Sequence, residues 1–221
     1  MSSNTAGSSF LFRETEPLNV VIPDDMGDDE RLLMQSIQEF ATQEVVPKFD
    51  QIDRRDKDVI LSLFRKAASL GLFMAEVPEA HGGLGMNLLA IAGMSETRSS
   101  LGGLASTVFA HQGIGTLPLV NFGTKGQRDK YLESCMNGTV LAAFALTEPS
   151  SGSDAMNIRT TAVLNETSTH YVVNGNKQWI TNAGWADLFI LFAKVDGTDF
   201  TAFLLDRATS GLTVGQHEKL L

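Results

Sequence analysis

The chain has 221 residues, 43% of them hydrophobic and 19% charged, with a formal net charge of −9. That length suits one large domain or two smaller ones, and the composition is that of an ordinary globular protein. The acidic balance gives no reason to seek nucleic acid or anionic lipid, although backbone N–H groups, which carry no formal charge, can still hold an anionic cofactor. A single cysteine, Cys135, excludes an intrachain disulfide. With no basic neighbour to stabilise a thiolate it reads as structural, and a reducing compartment fits. No apolar run reaches the roughly 18 residues of a membrane span, so none is expected. Met1–Ser9 is small and polar, without the basic start and apolar stretch of a signal peptide. The expected location is therefore intracellular: the bacterial cytoplasm first, the mitochondrial matrix if the source is eukaryotic.

Residues 1–27 read as a flexible lead-in. Residues 28–138 read as a helical domain. Asp28 or Asp29 can cap a helix with Leu33, Ile37, Phe40, Ala41 and Val45 on one stripe, and Pro47 lies near its end. A second helix is expected from about Lys57 to Leu70, with Ile60, Leu63, Phe64 and Ala67 inward and Gly71 as its C-terminal cap. Val77–Gly85, with its proline and glycines, reads as a structured loop. Helices resume over Asn87–Ser100 and Gly102–Asn121. The latter is rich in Gly, Ala and Ser, and glycine costs about 1 kcal/mol in a helix interior. Close helix packing and a ligand cavity explain that equally well. Thr124 can cap a last short helix, closed by Gly138.

After Gly138 the apolar period changes to about two. Val140–Thr147, Ile158–Leu164, Leu188–Val195 and Phe200–Leu205 read as strands. Tyr171–Ile180 reads as a hairpin turning at Asn174-Gly175, and Thr213-Val214 as a further strand. Helices followed by strands imply an α+β chain, with residues 139–221 as a β domain.

The chemistry concentrates in two segments. Leu146-Thr147-Glu148-Pro149-Ser150-Ser151-Gly152-Ser153-Asp154 carries a strand into a proline-broken loop of hydroxyls and free amides. Such a loop suits a phosphate or a heteroaromatic edge, though many Ser/Gly loops are only solvated turns. Gln178-Trp179-Ile180-Thr181-Asn182 sets an indole and a hydroxyl two residues apart, on one face if the segment is a strand. A strand Trp taken alone is usually core.

Together these segments, with Pro78–Gly85 and Gly123–Leu132 in the same order, resemble the acyl-CoA dehydrogenase family, with Ala142–Ile158 nearest the very-long-chain branch. The resemblance covers nearly the whole chain after about Asp28. It implies a helical domain, then an antiparallel barrel-like middle domain, then a C-terminal helical bundle. It implies an FAD-dependent α,β-dehydrogenation of a fatty acyl-CoA in β-oxidation, with electron-transfer flavoprotein as acceptor and a homo-oligomeric full-length protein. Phe144, Ala145, Leu146, Thr147, Gly152 and Ser153 would line the FAD, with Thr147 near the pyrimidine end and Ser153 at the pyrophosphate and the acyl-CoA. Trp179 would pack on the isoalloxazine beside Ile180, and Thr181 would donate toward N5 and O4. Gly113 and Gly115 would wall the acyl tail. The general base would be a Glu of the C-terminal domain, beyond Leu221, so this chain alone is expected to be inactive and to hold FAD weakly if at all.

Glu148 reads as a loop-shaping residue rather than a base. His81 and His111 are isolated, which argues against a metal site, and Asp53–Asp58 reads as a solvated charge run. No nucleophile triad and no Gly-x-Gly-x-x-Gly is present. An acyl-CoA oxidase or flavin monooxygenase on the same scaffold is one alternative, separable by oxygen consumption. A non-catalytic interaction module is another.

Overall fold

Residues 22–218 are described by the computed structural model; the lead-in expected at the N-terminus lies outside them up to residue 21. The first helix, α1, spans Asp28–Phe40. Its N-cap is Gly27, one residue earlier than the sequence suggests, and the Gly27 amide donates to the Glu30 carboxylate at 2.8 Å. A π-type turn, Ala41–Val45, and a short turn through Pro47 lead into α2, Phe49–Asp53. The helix α3 spans Lys57–Ser69 and is capped by Asp56, which accepts from the amides of Asp58 and Val59. The helix α4, Leu88–Arg98, is capped by Asn87 in the same manner.

The small-residue stretch is not one regular helix. It divides into α5, Gly103–Phe109, a π-type segment Ala110–Thr116, and α6, Leu117–Phe122. The last helix, α7, spans Lys125–Met136 behind a Thr124–Gln127 capping box. The main core joins Ile37 and Phe40 of α1 to Leu63 and Phe64 of α3, Leu104 and Val108 of α5, and Leu72 and Phe73 between α3 and α4. Each such side chain contributes about 1.5–3 kcal/mol on burial.

The sheet has five strands: β1 Ala142–Ala145, β2 Thr161–Leu164, β3 Tyr171–Asn174, β4 Leu188–Val195 and β5 Asp199–Asp206. The helical half followed by a sheet stands as expected, but the sheet is mixed rather than antiparallel. Strands β1 and β2 both run parallel to β4, in registers Ala142↔Leu188 and Thr161↔Lys194, while β2–β3 and β4–β5 are antiparallel. The loop from Leu146 to Thr160 leaves β4 and rejoins it further along, heading the same way. Residue alternation reports which face a side chain takes and not which way a strand runs, so this was hidden in the sequence.

The Asn-Gly hairpin is also corrected. Strand β3 ends at Asn174 and pairs with β2; no strand follows directly, the next being β4 from Leu188. Neither Asn174 nor Gly175 has the positive φ that the turn would need. Gly175 serves close approach instead, since a Cβ there would stand 2.2 Å from the Thr160 hydroxyl oxygen. Thr213-Val214 forms no strand.

Two buried side chains, His111 and Asn182, are among those that tie the sheet to the helices. His111 is fully buried; its Nδ1 accepts the Ala142 amide at 3.0 Å and its Nε2 lies 3.0 Å from the Cys135 carbonyl. An amide can only donate, so Nδ1 is the acceptor and the proton sits on Nε2. Burial pushes this imidazole down to about 4, against the opposing pull of the Cys135 carbonyl. Asn182 donates to the carbonyls of Thr107 and Ala142 at 3.1 and 3.3 Å.

Candidate functional site

Strand β1 runs into the first segment, Leu146–Asp154. Glu148 and Ser151 exchange both backbone hydrogen bonds, at 2.9 and 3.1 Å, which folds Pro149 and Ser150 into a tight turn. The Ser151 hydroxyl donates to the Asp154 carbonyl. The loop is therefore self-braced, and its tip is exposed at Gly152 and Ser153.

Beneath the loop lies a buried ion pair. The Glu148 carboxylate accepts from the amides of Arg159 and Thr160 at 2.6 and 3.0 Å, from the Thr160 hydroxyl, and from Lys177 Nζ at 2.8 Å. Lys177 Nζ also donates to the Leu146 carbonyl at 2.9 Å. Burial pushes the carboxyl up, but Lys177, Thr160 and the two amides outweigh it and hold Glu148 down at about 2. Burial lowers Lys177 from its ordinary value, with the carboxylate pulling the other way. Glu148 is thus a fixed anion whose lone pairs are occupied, which suits it to shape the loop and unsuits it to take a proton.

The Gln178 amide donates to the Thr147 carbonyl at 2.9 Å. The two motif segments, some thirty residues apart in sequence, are therefore adjacent. Immediately beyond, Trp179 takes a left-handed φ of 57° and leaves 67% of its surface exposed. It is not on a strand, which corrects the picture of Trp179 and Thr181 projecting from one strand face. The next residue, Ile180, is half-buried and packs with Ala145 and Leu191. Thr181 is exposed and Asn182 is buried, also at positive φ. The chain dips into the core at Ile180 and Asn182 and presents Trp179 and Thr181 outward.

The remaining expected residues divide by surroundings. Phe144 and Leu146 are half-buried, and Phe144 begins an aromatic run with Phe192 at 4.9 Å and Phe200 at 5.4 Å beyond it. Ala145 is buried against Ile180, so those two side chains serve packing. Thr147 is half-buried at the junction. Gly152 has open space where a Cβ would stand. Among the described hydrogen bonds none is donated by the amides of Gly152 and Ser153 or by the Ser153 hydroxyl. Gly113 likewise faces open space, whereas at Gly115 a Cβ would stand 2.8 Å from the Cβ of Ala142. Gly115 thus lets the helix lie close on β1, the packing explanation for its small side.

An exposed indole, a neighbouring hydroxyl and a loop of free amides fit a planar heteroaromatic ring joined to a phosphate. Sequence reading missed Lys177, Asn182 and His111 as organisers of this region. For Lys177 the one signal was its place two residues before Trp179 in a segment with few other charges, which does not disclose its burial. For His111 and Asn182 none did, because their partners are backbone groups. No group of three or more metal-ligating side chains occurs among the described residues, and no described helix is long and apolar enough to cross a membrane.

Residues 27–139 match the acyl-CoA dehydrogenase N-terminal domain, and residues 143–221 match the acyl-CoA dehydrogenase middle domain. The chain belongs to the acyl-CoA dehydrogenase family. A probable acyl-CoA dehydrogenase of Bacillus subtilis is 42% identical over 213 residues, 96% of this chain and 36% of that protein. The human mitochondrial very long-chain specific acyl-CoA dehydrogenase is 43% identical over 165 residues, 68% of this chain and 24% of that protein. An acyl-CoA dehydrogenase from Bacillus anthracis, solved in complex with FAD, superposes with a TM-score of 0.92 at 43% identity, over 96% of this chain and 37% of that one. The chain spans from about a quarter to somewhat over a third of the length of these relatives.

Proposed function

We propose that the chain forms one wall of an FAD site in an enzyme that dehydrogenates a fatty acyl-CoA thioester between its α and β carbons. The observation that carries the reading is the join between the two segments: Gln178 and Lys177 bind the strand end at Leu146–Glu148 and leave Trp179 and Thr181 exposed beside it. Trp179 offers a face for the isoalloxazine. The Thr181 hydroxyl is a donor for its polar edge, and Thr147 stands near the pyrimidine end. The free amides of Gly152 and Ser153 are donors for the pyrophosphate, with Ser153 also within the acyl-CoA's reach. Bound there, the flavin supplies the hydride acceptor, and the protein orients it and tunes it.

Glu148 is an occupied anion, so the carboxylate that removes the α-proton comes from outside this wall. Gly113 is the position of the helical half proposed to leave room for an acyl tail. Fatty acid β-oxidation, electron-transfer flavoprotein as electron acceptor, a homo-oligomeric full-length protein and a cytoplasmic location complete the reading.

The test uses the Trp185→Phe chain, in which Trp179 is the only fluorophore of its kind. Titration with FAD should quench the Trp179 emission beyond the loss that free N-acetyltryptophanamide suffers from flavin absorption at the same concentrations, and ADP, corrected likewise, should not. Equal, null responses to both ligands from a protein with native circular dichroism would overturn the reading.

A further inference from the structure

Trp179 is exposed, and among the described residues its own amide and carbonyl enter no backbone hydrogen bond. A left-handed φ is uncommon outside glycine and, for a bulky side chain, persists only where the surroundings impose it. The pose of Trp179 must therefore be set by its flanks.

On the C-terminal side the anchor is Asn182, tied to Thr107 and Ala142, with Ile180 packed in the sheet core between them. On the N-terminal side the Gln178 amide holds the Thr147 carbonyl at 2.9 Å, and the side chain that anchors the segment is Lys177, two residues before Trp179. Its ammonium reaches both the Leu146 carbonyl and the Glu148 carboxylate, with 9% of its side chain exposed and 3% of Glu148's. That carboxylate is itself fixed by the backbone of Arg159 and Thr160, where the loop rejoins the sheet. Lys177 thus joins three pieces of chain: the end of β1, the start of β2 and the segment that carries the indole.

We propose that Lys177, through its ion pair with Glu148 and its bond to the Leu146 carbonyl, is the positioning residue that sets the pose of Trp179 and Thr181. The claim deepens the flavin-wall reading and rests on it for its functional meaning. The geometric part stands without any ligand. A point charge with three donors can serve the carbonyl and the carboxylate together, which a neutral side chain of the same length cannot. Glu148 acts one step further away, by holding Lys177.

The full chain carrying Trp185→Phe and labelled with 5-fluorotryptophan gives one fluorine resonance, that of Trp179. In the otherwise unaltered chain it should be displaced from the random-coil position. Lys177→Met should move it most of the way to that position, while the amide spectrum of the helical half stays unchanged. Lys177→Arg, which keeps the charge, should recover part of the displacement. If Lys177→Met leaves the resonance where it was, the proposal is wrong. If Lys177→Met does not fold, Glu148→Gln carries the test: a partial shift toward random coil supports the proposal and an unmoved resonance overturns it. Addition of FAD separates the two claims. A resonance that responds to Lys177→Met but not to FAD sinks the flavin reading and leaves the positioning role standing.

Discussion

Two buried polar centres hold this molecule's sheet in place, and they are built from opposite chemistry. At the seam with the helices, His111 and Asn182 join backbone to backbone through neutral groups. Under the exposed Trp179, Glu148 and Lys177 join loop to loop through full charges. The neutral seam needs only one tautomer to be kept. The ionic centre needs both partners, because either charge left alone in the interior is costly. The dipoles keep the sheet attached and, through Asn182, anchor the C-terminal flank of Trp179; the charges anchor its N-terminal flank.

The largest effect should come from splitting the ionic centre. Lys177→Met leaves the Glu148 anion buried without its cation and should lower unfolding free energy by about 3–5 kcal/mol, read from urea titration. Glu148→Gln added to it should restore part of that loss, since no unpaired charge then remains. At the neutral seam, His111→Phe keeps the ring packing against Phe64 and Phe73 but orphans the Ala142 amide, while the Cys135 carbonyl keeps the Gly138 amide at 3.3 Å. That one orphan costs about 1–3 kcal/mol by the same measurement.

Acid titration separates the two centres. His111 sits at about 4 when folded against 6.5 ordinarily, so as pH falls the unfolded chain takes up the proton first. Its contribution is whole above 6.5 and erodes between 6.5 and 4, at up to about 1.4 kcal/mol per pH unit. Glu148 sits at about 2 against 4.5, so its contribution is whole above 4.5 and is lost as pH falls toward 2. His111→Phe should flatten the upper window alone. A stability curve with the same slope in both proteins there would remove His111 from the account.

Gly115→Ala should cost about 1–3 kcal/mol, because the new methyl meets Ala142 on β1. The smallest stability effect belongs to Trp179→Ala, within about 0.5 kcal/mol for so exposed a side chain. That variant should nonetheless lose the response to FAD, measured by flavin fluorescence. A large loss of stability would mean that Trp179 is core after all.

What the sequence disclosed followed from local rules. Thr124 caps the helix it precedes, as expected, because a short polar side chain reaches the free amides of the first turn; Asp56 and Asn87 cap by the same rule without having been anticipated, Asp56 lying in a stretch that reads as a solvated charge run. Leu188–Val195 was legible to the residue because a strand largely buried on both faces reads as a nearly continuous apolar run. The failures were at long range. The parallel pairing of β1 and β2 with β4 depends on how the loop between them returns, and Asn174-Gly175 looked like a turn because Thr160, the neighbour of Gly175, is fifteen residues upstream of it. At the candidate site, the motif segments themselves were readable, but the left-handed Trp179 and the burial of Lys177 were not, since each is imposed by the other segment.

The most direct test of the flavin wall is a crystal structure of the chain grown with FAD. The account predicts the isoalloxazine on the Trp179 indole, with Thr181 at its polar edge and the pyrophosphate at the amides of Gly152 and Ser153. A flavin bound elsewhere, such as the cleft of about 650 Å³ between Ala68, His81 and Met136, with Trp179 left bare, would contradict it.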